Sequence, residues 1–325
     1  MARRYDDLMP KPFASSADLA EKPATLEVLA EGVYAYTAEG DPNVGAIEGS
    51  DAILAIEARA TPYMARLWLD ELRQHTDKPV RWLALTHYHA VRTLGASAFG
   101  ADAIIAHART AALIEERGQA DFESEAGRMP RLFTGIETIP GLTRPTATFE
   151  DRYDLDLGGG RVVELLYVGR GHTEGDILVW LPEERVLFAG DLVESQAALY
   201  TGDAFHADWM DGTLDAIAAL DAQVLVGGRG AVARGAGVGE AIEQTRGFLR
   251  VLHDRVAAVH GAGGSLKEAF HAAHAALEPR YGAWPIFEHC MPFNVQRMWD
   301  ELDGIEHPRI WTAERDREVW AQLQD

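Results

Sequence analysis

Apolar and polar positions alternate in short runs over the first two thirds of the chain and in longer, helix-like periods over the last third. Residues 33–37, 44–48 and 52–57 are short apolar runs that predict strands. Thr61 and Pro62 then open a helix, threonine as its cap and proline in its first turn, with Met64, Leu67, Trp68 and Leu72 at helical spacing. Residues 81–86 predict a buried strand, 95–99 a helical stretch and 103–106 another strand. The middle of the chain is β-rich. Runs 148–157 and 161–168 flank Gly158-Gly159-Gly160, and runs 177–181 and 185–189 flank Pro182-Glu183-Glu184, which predicts two hairpins. Residues 214–220 predict a helix and 223–226 a strand, and from about Val238 the pattern is mostly helical. Strand-rich segments with interspersed helices, followed by a helical region, indicate an α/β or α+β protein built in layers.

Chemistry-bearing residues stand just after these strands. His87 and His89 follow 81–86, Gly171-His172 follows 161–168, Gly190-Asp191 follows 185–189, and Gly228-Arg229 follows 223–226. Where such strands neighbour one another, these groups converge on one edge, and the adjacent glycines let the backbone approach closely. Alternate residues of an extended segment project to the same side, so His87 and His89 can reach one ion. Three imidazoles and a carboxylate, His87, His89, His172 and Asp191, form a four-ligand set suited to Zn²⁺ or Fe²⁺.

The succession of T-H-Y-H (Thr86 to His89), H-T-E-G-D (His172 to Asp176) and L-F-A-G-D (Leu187 to Asp191) resembles the metallo-β-lactamase superfamily of hydrolases, over residues 26 to 232. The resemblance implies an α/β fold, an αββα four-layer sandwich with the site at one edge of the sheets and a C-terminal helical extension outside the common core. The expected divisions are an N-terminal arm at 1–25, a metallo-β-lactamase-like domain at 26–235 and a helical extension packed on the core at 236–325. The family's first metal position falls on His87, His89, His172 and Asp191, all present. Its second falls on Val91, Arg92, Asp191 and Arg229, so of those four ligands only the shared aspartate remains. Valine cannot ligate, and arginine is permanently charged with no lone pair to offer. The expectation is a single zinc ion, with iron as the alternative, and with Arg92 and Arg229 in place of the second cation, gripping Asp191. The family's strand before the first histidine loop usually ends in an aspartate. Here Glu57 stands at that position, and a longer carboxylate can still orient the loop.

A zinc ion lowers the pKa of its bound water to about 7 and supplies hydroxide at neutral pH. With Asp191, Arg92 and Arg229 as catalytic residues, Asp191 orienting the water and the arginines holding a carboxylate or an oxyanion, the expected reaction is hydrolysis of an ester, thioester, lactone or lactam. No residue is assigned to an organic cofactor. A second reading is a mononuclear Fe(II) dioxygenase acting on a sulfur compound, using His87, His172 and Asp191. A third is a non-catalytic protein that traps an anion.

Other residues compete for a role. His206 lies in the loop after Asp191, Arg170 precedes His172, and His271 and His274 share a helical spacing. The aromatic stretch 284–294 carries His289 and Cys290, and is expected either to line the pocket or to pack in the core. Trp311 and Trp320 are expected to seek cover near the C-terminal end. Composition narrows the partners. The formal net charge of −21 repels phosphate backbones, which sets nucleic acid aside. No apolar run approaches a membrane span, and residues 1–23 lack an apolar segment of the signal-peptide type. The single cysteine allows no intrachain disulfide, in keeping with an expected cytoplasmic location. The expected partner is a small-molecule substrate, anionic in the arginine-clamp reading. The helical end also offers a surface for a homodimer.

Overall fold

A computed structural model describes residues 14–323. Strands β1 (Ala24–Ala30), β2 (Val33–Ala38), β3 (Val44–Glu48), β4 (Ile53–Ile56), β5 (Val80–Ala84), β6 (Ala103–His107) and β7 (Ala147–Phe149) form one sheet in chain order. Its first four strands are antiparallel, and β4 to β7 run parallel. The second sheet holds β8 (Arg152–Asp156), β9 (Val162–Leu166), β10 (Leu178–Leu181), β11 (Val186–Gly190), β12 (Val224–Gly227) and β13 (Ala233–Arg234), again in chain order. There only the β11–β12 pair is parallel.

The two sheets stack face to face. Strand β4 shows how the sequence achieves this. Leu54 and Ile56 point inward to meet Val163, Leu165, Val179 and Phe188 of the second sheet. Ile53 and Ala55 point outward against Ala65, Trp68 and Leu72 of helix α1 (Pro62–Leu72). Both faces of the strand are buried, so its sequence is a continuous apolar run rather than an alternating one. Gly45 permits the close approach of the sheets, since a Cβ there would lie 2.3 Å from the Phe188 ring. Helix α1 is capped by Thr61, whose hydroxyl accepts from the Met64 amide, as its sequence predicts. Leu67, expected on its inner face, is 42% exposed, because Ala65, Trp68 and Leu72 form the buried stripe. Complete burial of a side chain such as Leu72 contributes roughly 1.5–3 kcal/mol.

The remaining helices are α2 (Ala90–Thr93), α3 (Ala108–Arg128), α4 (His206–Asp208), α5 (Leu214–Ala219), α6 (Ala236–Gly261), α7 (Leu266–Tyr281), α8 (Phe287–Leu302) and α9 (Ala313–Leu323). Helices α5 to α8 cover the outer face of the second sheet, around Trp180, Leu187 and Leu225. The result is the αββα sandwich with C-terminal helices that the motifs implied. Trp311 is buried beside Phe293 and Val319.

Three local expectations change. The run 148–157 is not one strand: it divides into β7 and β8, which lie in different sheets. The chain crosses between the sheets at Glu150 and Asp151, a polar step inside an otherwise strand-like run. Residues 95–99 contain only a 3₁₀ turn at Ala96–Ala98. Helix α3 escapes the apolar pattern because its buried face carries Arg117, Asp121, Ser124, Glu125 and Arg128. Residues 1–13 of the arm expected at 1–25 lie outside the described residues; within 14–25, Ala14–Ala17 forms a 3₁₀ turn and β1 begins at Ala24. No described helix is long and apolar enough to cross a membrane.

Candidate metal centre

The strand ends converge as the glycine-flanked motifs suggest. His87 and His89 follow β5, His172 lies in the loop between β9 and β10, and Asp191 follows β11. One ligand atom from each lies within 4.8 Å of every other, and all four residues are buried. Each imidazole has one nitrogen fixed by a neighbour. His87 Nδ1 is 2.9 Å from Thr86 Oγ1, His172 Nδ1 is 3.2 Å from Asp176 Oδ1, and His89 Nε2 is 3.2 Å from Asp203 Oδ2. The opposite nitrogens of His87 and His172, both Nε2, are buried with no hydrogen-bond partner. They stand 3.8 and 3.7 Å from Asp191 Oδ2. Buried polar atoms without partners are costly, and converging imidazole lone pairs beside a carboxylate are satisfied by a cation. The donor set therefore fits a metal ion.

The electrostatics agree. Burial pushes the His87 pKa well below its ordinary value, which keeps its lone pair free. Burial also acts against a charged His172, but Asp176 and Asp191 outweigh it and raise that pKa. Burial alone would raise the Asp191 pKa, yet Arg92 and then Arg229 hold it well below the usual carboxylate range. Asp191 is thus an anion with both oxygens engaged.

Both arginines reach it. Arg92 Nη2 donates to Asp191 Oδ1 and, at 2.8 Å, to the Gly228 carbonyl, while Nη1 donates to the Asn43 carbonyl at 3.1 Å. Arg229 Nη1 donates to Asp191 Oδ2 at 3.0 Å. Carboxylates flank the pair at both ends. Glu57 Oε2 lies 3.9 Å from Arg92 Nε, and Glu194 accepts from the Arg229 amide while its Oε1 lies 3.5 Å from Nη1. Glu57, Arg92, Asp191, Arg229 and Glu194 form a buried ladder in which acidic and basic side chains alternate. Gly228 makes room for it, because a Cβ there would lie 2.0 Å from Asp191 Oδ1. Asn43 braces the same turn, donating to the carbonyls of Gly227 at 3.0 Å and Gly230 at 2.9 Å.

Glu57 also accepts from the Thr86 amide at 2.6 Å, which ties the end of β4 to the histidine loop. It adopts φ 65, a backbone region uncommon outside glycine and asparagine. Burial pushes its pKa up to about 7, against the pull of Arg92. Val91, in the first turn of α2, is buried beside Leu94, Met129 and Leu132.

Beside the ligands lies a narrow cavity of about 10 Å³, walled by Asp191, Arg229, Tyr200, Arg128, Ile286 and Cys290 among others. The aromatic stretch 284–294 therefore both lines this space, through Ile286, His289 and Cys290, and packs in the core, through Phe287 and Phe293. Burial pushes the Cys290 thiol up to about 12, so it remains protonated. Arg92 is not among the residues lining the cavity; its guanidinium is spent behind Asp191. His206 is turned away, held by Glu301 at 2.7 Å and Thr201 at 3.0 Å. Arg170 pairs with Asp208 at 2.6 Å and Glu306 at 3.2 Å, and His274 with Glu288 at 2.9 Å, both outside the cluster. Asp203, Glu194, Asp121 and Glu125 stand in none of the sequence motifs. Asp203 stands three residues before His206, in the same loop, and it is Asp203 that reaches the cluster, through His89. Only long-range pairing distinguishes such acids from surface ones.

The family model described as the metallo-beta-lactamase superfamily matches residues 43–229. Among curated proteins, a metallo-beta-lactamase type 2 of Bacillus sp. (strain 170) is 26% identical over 178 residues, covering 54% of this chain and 61% of the relative. The alpha subunit of 2,4-dinitroanisole O-demethylase of Nocardioides sp. (strain JS1661) is 30% identical over 164 residues, covering 50% of this chain and 42% of the relative. A linear primary-alkylsulfatase of Pseudomonas sp. (strain ATCC 19151) is 23% identical over 245 residues, covering 64% and 45%. The matched stretches thus span less than two thirds of these relatives. Among solved structures, a metallo-beta-lactamase from Pontibacter korlensis superposes with a TM-score of 0.55 at 18% identity, covering 69% of this chain and 99% of that one.

Proposed function

The chain belongs to the metallo-beta-lactamase superfamily, and from that premise we propose that it is a metal-dependent hydrolase carrying a single zinc ion. His87, His89, His172 and Asp191 would hold the ion, and the observation that carries this reading is the pair of buried, partnerless Nε2 atoms facing Asp191. When bound, zinc supplies a hydroxide at neutral pH by lowering the pKa of its water to about 7. Asp191, held ionised by two guanidiniums, keeps the site's negative charge fixed and orients the nucleophile's proton. Arg229 lines the cavity and its Nε is buried without a partner, so it is the donor for oxyanion charge developing on the substrate. Arg92 acts behind Asp191, as a permanent counter-charge where a second cation would otherwise be needed. An ester, thioester, lactone or lactam carbonyl would be the target of this nucleophile. The names of the relatives refer to three different substrates, so none is carried over.

Three imidazoles with one carboxylate favour zinc over the two-histidine, one-carboxylate set suited to iron. The test is elemental analysis of the full chain purified without chelator, followed by a hydrolysis panel over the four carbonyl classes. One zinc per chain and turnover that is lost on chelation are expected. One iron with oxygen consumption would replace the hydrolase with an oxygenase, and no metal after reconstitution would remove the assignment.

A further inference from the structure

The loop that carries His87 and His89 runs directly into α2, which is only four residues long. So short a turn cannot satisfy its own leading amides. Their partners come from a helix far along the chain. The Ala90 amide donates to Asp121 Oδ2 at 2.6 Å, and the Val91 amide donates to Glu125 Oε2 at 2.8 Å. Both acids are buried, one turn apart on α3, and neither belongs to the ligand cluster.

Placing two acids at i and i+4 disfavours a helix, and burying them adds a desolvation cost. Burial and the neighbouring Glu125 hold the Asp121 pKa well above the ordinary value. Two short bonds to the loop backbone offset these costs. The face of α3 that bears them is itself anchored by the C-terminal helices: Ser124 Oγ donates to Asp316 Oδ2 at 2.6 Å, and Arg128 Nη1 lies 3.0 Å from His289 Nε2. The loop is pinned on its other side by Glu57 at the Thr86 amide.

We infer that Asp121 and Glu125 are positioning residues of the metal centre, which hold the Ala90–Val91 backbone and thereby aim His89 and seat Arg92 against Asp191. They do for this loop what a second ion would do by ligation at positions 91 and 92. The consequence for metal binding rests on the zinc reading above; the backbone clamp does not.

The test uses the full chain with Asp121→Ala, Asp121→Asn, Glu125→Ala and Glu125→Gln. Asparagine and glutamine keep an acceptor oxygen where alanine has none. Hydrogen exchange at the Ala90 and Val91 amides, measured without metal, should quicken in each alanine variant and stay slow in the amide variants. Zinc affinity, measured by chelator competition, should fall about 10–100-fold in the alanine variants and change by less than about threefold in the amide variants. Unaltered amide exchange in the alanine variants overturns the inference, as does loss of protection in a folded glutamine variant. A wild-type chain that takes up no zinc would defeat the metal reading alone, since the exchange data still decide the clamp.

Discussion

The two halves of the site are built on opposite principles. Around His87, His89 and His172, every imidazole is held by one nitrogen, and two of the opposite nitrogens face Asp191 with no partner. Around Arg92 and Arg229, positive charge is already present in the chain and locked between Glu57, Asp191 and Glu194. The first half gathers donor atoms that fit a cation. The second already carries positive charge in arginine side chains, which does not titrate away. In the proposed reading, arginine side chains take the place of an ion around one aspartate.

That contrast can be broken most severely from the first half. His172→Ala should abolish metal retention and hydrolysis together while the chain remains folded; metal content equal to wild type would remove His172 from the ligand set. In the second half the main loss should be stability. Arg92→Ala strips one partner from a buried ion pair, which typically costs about 3–5 kcal/mol. Denaturant unfolding of the metal-free chain measures it, and a change within error would show that Asp191 does not depend on Arg92. Converting one principle into the other is the sharper test. The triple change Val91→Asp, Arg92→His and Arg229→His should raise zinc content from one to two equivalents per chain. A stoichiometry that stays at one would mean that charge replacement does not explain the missing ion.

The smallest effect concerns pH. Burial, and then Asp191, push the Glu194 pKa up to about 8 from an ordinary 4.5. Below 4.5 the folded and unfolded chains both hold this proton, and between there and about 8 only the folded chain does. Glu194 therefore makes stability fall as pH rises through that window and level off above it. Glu194→Gln should flatten this part of the stability curve of the metal-free protein, and an unchanged slope would assign it to other groups.

The layered fold and the four clustered side chains were legible in sequence because both depend on local pattern. Buried strands read as apolar runs, and the ligands follow strand ends, His172 and Asp191 each with a glycine before it. The ladder was half legible: Arg92 and Arg229 stood at positions where a ligand was missing, and Glu57 at a strand end, but Glu194 carried no mark. Helix α3 was illegible. Its inward face carries Arg117, Asp121, Glu125 and Arg128, so it has no apolar periodicity to read. The same limit hid the division of run 148–157 between two sheets, since strand pattern does not say which sheet a strand joins.

The sequence by itself determined the strands, their order of motifs and the residue types able to hold a metal, because these are set by spacing and side-chain chemistry along the chain. Only the tertiary structure decided which charges meet. Asp203 reached His89 across 114 positions, Arg92 reached Asp191 across 99, and the α3 acids reached the histidine loop across more than 30. Such pairs leave no periodic trace, because their energy depends on burial and distance in space, and neither is written in sequence separation.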